Sequence, residues 1–216
     1  MSFTLAKTER LAAILSQTPV IPVLTFRDAK TGVATARALR DGGLAVLEVT
    51  MRTPKSLEAL QAIVDEVEGV TVGAGTILEP EHVQSAVAAG AAFLVSPGTS
   101  SRLVASASEA PVPYLPGAST ASEAMQLAER GATFAKFFPA GPAGGPAFLK
   151  ALAAPLPDLQ FVPTGGIDIN NARDYLRLRN VVCVGGSWVV PDDALAGEDW
   201  EAIRSLAAEA AALKAR

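Results

Sequence analysis

The chain has one cysteine and one histidine in 216 residues. A lone cysteine cannot close an internal disulfide, and this usage fits a reducing, cytoplasmic setting. With so few thiols and imidazoles, no Cys/His cluster has zinc spacing, so no metal site is expected. The cysteine, Cys183, lies in Val181-Val182-Cys183-Val184 and reads as strand core, and His82 follows Glu79-Pro80-Glu81 at a helix start and reads as a solvated residue. Basic charge is also scarce, with a formal net charge of −4 and no basic cluster or RNA-type aromatic motif. That balance argues against nucleic acid or an anionic membrane surface as the main partner. The longest apolar tract, Ala86 to Val95, contains a glycine. It falls well short of the ~20 residues that a membrane span needs. The N-terminus shows no charged-then-apolar signal pattern, which leads us to expect a soluble intracellular protein.

What is present is a large apolar fraction, half of all residues. That suffices for one sizeable core, and the length suits a single domain over residues 1–216. Short β-rich runs alternate with longer alanine-rich amphipathic ones. The expected strands are Val20–Phe26, Ala45–Thr50, Val70–Gly75, Phe93–Ser96, Tyr114–Pro116, Phe134–Phe138, Gln160–Thr164 and Val181–Gly185. Helical patterns cover Ala29–Asp41, Lys55–Val67, Glu81–Ala89, Ser101–Glu109, Ala121–Arg130, Pro146–Ala153 and Asn170–Leu178, bracketed by Thr4–Leu15 and Asp199–Lys214. Pro80 suits a first helical position. Thr120 and Glu123 have capping-box spacing. Gly42, Gly90 and Gly131 stand where left-handed helix stops belong. Gly141–Pro146 reads as a mobile loop.

Eight uniformly apolar strands, each followed by a helix, predict an α/β fold of the (β/α)8 TIM-barrel type with an added N-terminal helix. An open doubly wound sheet is the alternative. In a barrel the chemistry sits where strands end. Polar residues do cluster there: the second strand ends in Glu48-Val49-Thr50-Met51-Arg52, the third in Gly73-Ala74-Gly75-Thr76, and the fourth in Ser96-Pro97-Gly98-Thr99. Thr164-Gly165-Gly166 ends the seventh and Gly185-Gly186-Ser187 the eighth.

The most informative of these residues is Lys136, in the apolar run Thr133-Phe134-Ala135-Lys136-Phe137-Phe138-Pro139. Of six lysines, the other five lie in polar or helical surroundings. Burying an ammonium is expensive and favours the neutral amine, which is a nucleophile for carbonyl compounds and can form a Schiff base. The competing reading is a structural Lys–Glu pair. Alternation along strands points Val46, Glu48 and Thr50 one way and Leu47 and Val49 the other. The outer face must be apolar to receive helices, so Glu48 faces inward, as do Phe134, Lys136 and Phe138. Glu48 is then either a functional acid or a structural partner of Arg52 or Lys136. Arg52 is either a bidentate carboxylate holder or an ordinary surface arginine. The two glycine pairs, in the last two βα-loops, suggest phosphate binding through backbone N–H groups.

These residues together resemble the KDPG/KHG aldolase family, the Schiff-base (class I) aldolases of 2-keto-3-deoxy-6-phosphogluconate and, in some members, 4-hydroxy-2-oxoglutarate. The resemblance runs from Thr18-Pro19-Val20-Ile21-Pro22-Val23 to Ser187-Trp188-Val189-Val190-Pro191. It rests on Leu47-Glu48-Val49-Thr50-Met51-Arg52-Thr53, Val72-Gly73-Ala74-Gly75-Thr76, Val95-Ser96-Pro97-Gly98 and Tyr114-Leu115-Pro116-Gly117. It continues through Lys136-Phe137-Phe138-Pro139-Ala140, Pro163-Thr164-Gly165-Gly166-Ile167 and Cys183-Val184-Gly185-Gly186-Ser187-Trp188. Each segment is short, but all of them in order are highly specific.

The resemblance implies a barrel assembled as a homotrimer, a phosphorylated sugar-acid substrate and pyruvate product, and no metal or organic cofactor. It implies Lys136 as the Schiff-base lysine and Glu48 as the general acid/base. Arg52 and Thr76 would hold the pyruvate-derived carboxylate, with Pro97 and Phe138 lining the pocket. Thr164, Gly165, Gly166, Gly186 and Ser187 would form the phosphate and substrate-binding end. The Thr-Gly-Gly and Gly-Gly-Ser-Trp forms resemble the phosphogluconate branch more than the phosphogalactonate aldolases. Sole or dual action on 4-hydroxy-2-oxoglutarate, or a non-catalytic phosphosugar-binding barrel, are the alternatives.

Overall fold

The structure is a computed structural model that describes residues 3–213. Its first helix, α1 (Leu5–Leu15), precedes a regular alternation of strand and helix. The strands are β1 (Val20–Leu24), β2 (Val46–Thr50), β3 (Thr71–Gly75), β4 (Phe93–Val95), β5 (Tyr114–Leu115), β6 (Gly117–Ala118), β7 (Phe134–Phe137), β8 (Gln160–Pro163) and β9 (Val184–Gly186). Between them run α2 (Ala29–Asp41), α3 (Ser56–Glu66), α4 (Pro80–Ala88), α5 (Ser101–Glu109), α6 (Ala121–Glu129), α7 (Gly145–Leu152) and α8 (Ala172–Leu176). After β9 come α9 (Asp192–Ala196) and α10 (Trp200–Ala211).

All strand pairs are parallel, in the order β5-β4-β3-β2-β1-β9 and, separately, β6-β7-β8. Two features join the pieces into a ring. The expected strand Tyr114–Pro116 is instead two short strands, β5 and β6, broken at Pro116. Proline has no N–H to give to a ladder. Its carbonyl still accepts from the Lys136 amide (2.8 Å), while the Leu115 carbonyl accepts from the Ser96 amide (3.3 Å). One stretch of chain thus serves β4 on one side and β7 on the other. Opposite, the parallel bridges Phe161–Val181 and Thr164–Gly185 tie β8 to β9. The sheet closes as a (β/α)8 barrel, and the open-sheet alternative falls.

The core has two parts, as the pleat requires. Outward side chains such as Val20, Leu24, Leu47, Val49, Ala135 and Phe137 pack against the helices. Inward ones, among them Ile21, Val46, Phe93, Leu115, Val162 and Cys183, form a second cluster inside the ring. Leu11, Ile14 and Leu15 of α1 belong to that inner cluster, with Phe134 at its edge, so α1 plugs the end where the strands begin. Its Lys7 ammonium donates to the Ser108 carbonyl (2.6 Å) and holds it there.

Most expected boundaries lie within one residue of those observed. The larger departures have local causes. The last strand is Val184–Gly186 rather than Val181–Gly185, and Val181 makes only an isolated bridge. The first strand ends at Leu24, two residues before Phe26. Asn170 and Asn171 form a turn closed by Asp168, which accepts from both their amides (2.8 and 3.2 Å), so α8 starts only at Ala172. The helix α9 lies in a stretch to which the sequence pattern assigns no helix. The expected end of the last helix, Lys214, lies outside the described residues.

Gly90 and Gly131 take the left-handed conformation (φ 89° and 86°), but Gly42 does not (φ −83°). Gly43 does so in its place (φ 94°), while Gly42 is needed because α10 packs onto it, leaving only 2.5 Å to a would-be Cβ. The capping box at Thr120 and Glu123 forms. Residues 141–146, expected as a mobile loop, make hydrogen-bonded turns: Gly141 donates to the Gly165 carbonyl (2.8 Å), and Gly145 to that of Ala140 (2.9 Å). Among the described residues no helix is long and apolar enough to cross a membrane.

Cys183 is fully buried in the inner cluster, and burial pushes its thiol pKa up. It should therefore stay unreactive toward a disulfide reagent in the native protein. It should react stoichiometrically once urea unfolds the chain, with the coloured thiolate product reporting both.

Candidate active site

Lys136 in β7 and Glu48 in β2 meet inside the ring. The lysine Nζ lies 3.0 Å from Glu48 Oε1 and 3.2 Å from Oε2, and each residue is only 4% exposed. Inward alternation places both as expected, with Phe134 below Lys136 in the inner cluster. Phe138, above it, sets its ring 5.7 Å from Nζ. Of the two structural partners considered for Glu48, the one it makes is Lys136 and not Arg52.

A buried ion pair roughly breaks even against its desolvation cost, so it is weak support for stability. What the arrangement offers is reactivity. A carboxylate within hydrogen-bond reach can take a proton from the ammonium to free the amine, and later return it to whatever the amine binds.

The strand next to Glu48 makes room for it. A Cβ at Gly75 would stand 2.1 Å from Glu48 Oε1, and one at Gly73 would stand 2.3 Å from the Phe93 ring. β3 can pass beside the carboxylate only without side chains at these positions. Thr76 follows at φ 58°, an outlier for a β-branched residue. Its neighbours are pinned: Met51 donates to the Gly75 carbonyl (2.8 Å), and Ile77 to that of Val95 (3.1 Å). The Thr76 hydroxyl accepts from Arg52 Nε at 3.1 Å. Arg52 is exposed at the mouth, and among the described residues it pairs with no carboxylate. Its guanidinium is therefore held through Nε by Thr76, while its outer N–H groups have no hydrogen-bond partner among the described residues. Strain of this kind, of order 1–3 kcal/mol, persists only where surrounding structure holds it.

Pro97 is placed by a buried hydroxyl network. Ser96 Oγ lies 2.6 Å from the Tyr114 hydroxyl and accepts from the Gly117 amide (3.3 Å). Burial pushes the Tyr114 pKa up to about 12, so this phenol stays protonated at ordinary pH. A Cβ at Gly117 would be 2.3 Å from the Pro97 carbonyl carbon, so the strand break brings the two backbones together.

At the other side, Gly165 and Gly166 are both left-handed (φ 96° and 76°), and the Asn171 side chain donates to the Gly166 carbonyl (3.0 Å). Gly165 lies against the Phe138 ring, 3.2 Å from a would-be Cβ. Thr164 Oγ1 is buried with no hydrogen-bond partner among the described residues. Gly186 packs under the Trp188 ring, and Ser187 is exposed beside it. The geometry thus gathers Lys136, Glu48, Arg52, Thr76, Pro97, Phe138, Thr164 and the two glycine pairs around one opening.

Three supporting residues escape a reading of the sequence. Asn171 looks like ordinary helix-start polarity. Ser119, which reads as a capping residue, donates through its hydroxyl to the Phe138 carbonyl and so holds the segment that carries the ring over Lys136. Its signal is its place at the end of the fifth strand. Thr25 pairs with Thr50 at the end of β1, with Oγ1 atoms 2.7 Å apart. Its signal is inward alternation.

The family model described as KDPG and KHG aldolase matches residues 11–206. The chain belongs to the KDPG/KHG aldolase family. The KHG/KDPG aldolase of Escherichia coli K12 is 46% identical over 198 residues, which is 92% of this chain and 93% of that one. The 2-dehydro-3-deoxy-phosphogluconate aldolase of Dickeya dadantii is likewise 46% identical over 199 residues, 92% and 93% of the two chains. Among solved structures, KDPG aldolase from Legionella pneumophila superposes with a TM-score of 0.91 at 39% identity, covering 93% of this chain and 98% of that one. That protein holds pyruvate captured at low pH as a covalent carbinolamine.

In this aldolase Gly75→Ala should drive Glu48 off Lys136. We expect overpacking to cost about 1–3 kcal/mol in urea unfolding. Misplacing the carboxylate should lower turnover by about 100-fold. A Gly75→Ala enzyme with unchanged rate would show that the Glu48 position does not matter.

Proposed function

We propose that the protein is a class I aldolase that reversibly cleaves 2-keto-3-deoxy-6-phosphogluconate to pyruvate and glyceraldehyde 3-phosphate. The observation that carries the reading is the buried Lys136–Glu48 contact at 3.0 Å. The relatives' names and the carbinolamine in the Legionella structure support it.

Breaking the C3–C4 bond leaves an electron pair on C3, which needs a sink. Glu48 takes a proton from the Lys136 ammonium, and the amine so formed attacks the C2 ketone to give a carbinolamine. Glu48 returns the proton as water leaves, and a protonated imine remains. Glu48 then accepts the C4 hydroxyl proton. The C3–C4 bond breaks, the aldehyde departs and its electrons settle into an enamine. Protonation at C3 and attack of water on the imine release pyruvate and restore the amine.

Arg52, aimed by Thr76, holds the C1 carboxylate. Pro97 and Phe138 wall the pyruvyl part. Thr164 contacts the chain, and Gly165, Gly166, Gly186 and Ser187 hold the phosphate through backbone N–H groups and a hydroxyl. This remote anchor lines up the scissile bond, so binding energy far from the reaction serves orientation. The residues needed for these steps are all side chains or backbone, so the reaction as written requires no metal or organic cofactor.

A second activity, cleavage of 4-hydroxy-2-oxoglutarate to pyruvate and glyoxylate, is favoured by the dual name of the Escherichia coli relative. We also read the whole chain as one barrel domain of a cytoplasmic homotrimer. The motif resemblance supports the trimer, and the single buried cysteine supports a reducing compartment. Light scattering should then give a mass three times that of the 22.2 kDa chain.

The decisive experiment is borohydride reduction in the presence of pyruvate, followed by peptide mass analysis. Adduct mass is expected on the Lys136 peptide alone, and its absence there would remove the Schiff-base assignment. Lys136→Ala should abolish turnover. Glu48→Gln should slow it by about 10²–10⁴-fold, the range for a lost acid/base, while trapping stays detectable.

A further inference from the structure

The mouth of the barrel carries one polar pair that none of the roles above uses. Ile21 belongs to the inner cluster, while Val20 and Leu24 pack outward. Alternation therefore turns Val23 and Thr25 toward the cavity. Val23 pairs in register with Glu48 and Leu24 with Val49, so Thr25 stands level with Thr50, one inward position above the carboxylate. Thr25 is exposed at the opening, whereas Thr50 is fully buried.

The hydrogen-bond directions can be assigned from donor counting. A threonine hydroxyl has one proton and two acceptor lone pairs. Thr50 Oγ1 donates to the Leu24 carbonyl at 2.9 Å, which uses its only proton. In the 2.7 Å contact between the two hydroxyls, Thr25 must then be the donor. Its proton is committed to Thr50, and only acceptor capacity is left facing the mouth. A fixed acceptor suits a neutral hydroxyl and repels a carboxylate or phosphate.

We infer that Thr25 is a specificity-determining contact, and that its oxygen accepts from a substrate hydroxyl beyond the cleaved bond. The inference rests on the aldolase reading above. With C2 on Lys136, the carboxylate at Arg52 and Thr76, and the phosphate at the loops after β8 and β9, the remaining carbons pass beside β1. That strand lies between β2 and β9. The C4 hydroxyl belongs to Glu48 in the reaction, so the C5 hydroxyl is the group left for Thr25. In 4-hydroxy-2-oxoglutarate the fifth carbon is a carboxylate, which this acceptor does not favour. Thr25 therefore tilts the enzyme toward the phosphorylated sugar acid.

The test compares wild type, Thr25→Val and Thr25→Ser on both substrates, with thermal unfolding alongside. Valine keeps the branched shape and removes the acceptor. We expect kcat/KM for the phosphorylated substrate to fall roughly three- to tenfold in Thr25→Val, the worth of one hydrogen bond. The value for 4-hydroxy-2-oxoglutarate should hold or rise, and Thr25→Ser should restore the wild-type ratio. Equal losses on both substrates, or no change on either, would overturn the inference while leaving the aldolase reading intact. A wild-type protein that cleaves neither substrate would overturn both.

Discussion

The contact between Lys136 and Glu48 sets the terms for everything around it. Two ionisable groups from strands on different sides of the ring share a space almost closed to water. Such a pair adds little net stability, and separating it leaves an unpaired buried charge worth about 3–5 kcal/mol. The fold must therefore hold it with binding energy drawn from elsewhere. The two-part apolar core supplies that, and the glycines of β3 supply the space. Gly73 and Gly75 leave β3 without side chains where the Phe93 ring and the Glu48 carboxylate need volume.

The same economy of space recurs around the opening. Gly117 lets the Pro97 backbone lie against the fifth strand, and Gly165 lets the seventh βα-loop lie against Phe138. Gly186 yields to Trp188. Each is a place where a methyl group would push a functional neighbour out of line. Rigidity comes from hydrogen bonds that do not touch the reacting centre: Ser96 with Tyr114, Ser119 with the Phe138 carbonyl, Asn171 with the Gly166 carbonyl. The side chains that do the chemistry are few, and the residues that keep them still are spread over nearly every strand end.

Much of this is legible in the chain. A lysine inside Phe134–Pro139 has few physical explanations, and strand alternation alone directs it toward Glu48. Counting strand–helix pairs points to the barrel but leaves an open sheet as the alternative. What the sequence cannot supply are relations that depend on closure. The split at Pro116 arises because one strand must serve two neighbours, and no local pattern encodes that. Gly42 and Gly43 look equivalent in sequence. Only the approach of α10 shows that one is glycine for space and the other for its backbone angle. The Asx-type turn at Asp168 delays α8, although the periodic pattern begins earlier. Thr25 looks like one more polar residue in a β-rich run, since donor direction becomes visible only when Thr50 and Leu24 are both in place.

The plug formed by α1 has a consequence for the order of events. With Leu11, Ile14 and Leu15 filling the end of the ring where the strands begin, a substrate would enter from the end where the strands finish. In the proposed reaction the carbon joined to Lys136 would lie deepest, and the phosphate nearest that open end. In the proposed reaction the aldehyde fragment must clear the passage before the three-carbon acid can follow. In the synthetic direction the queue reverses, with the keto acid loading first. Pyruvate, last to leave, should accordingly compete with the next sugar acid for the empty enzyme, whereas glyceraldehyde 3-phosphate meets an enzyme that already carries the keto acid.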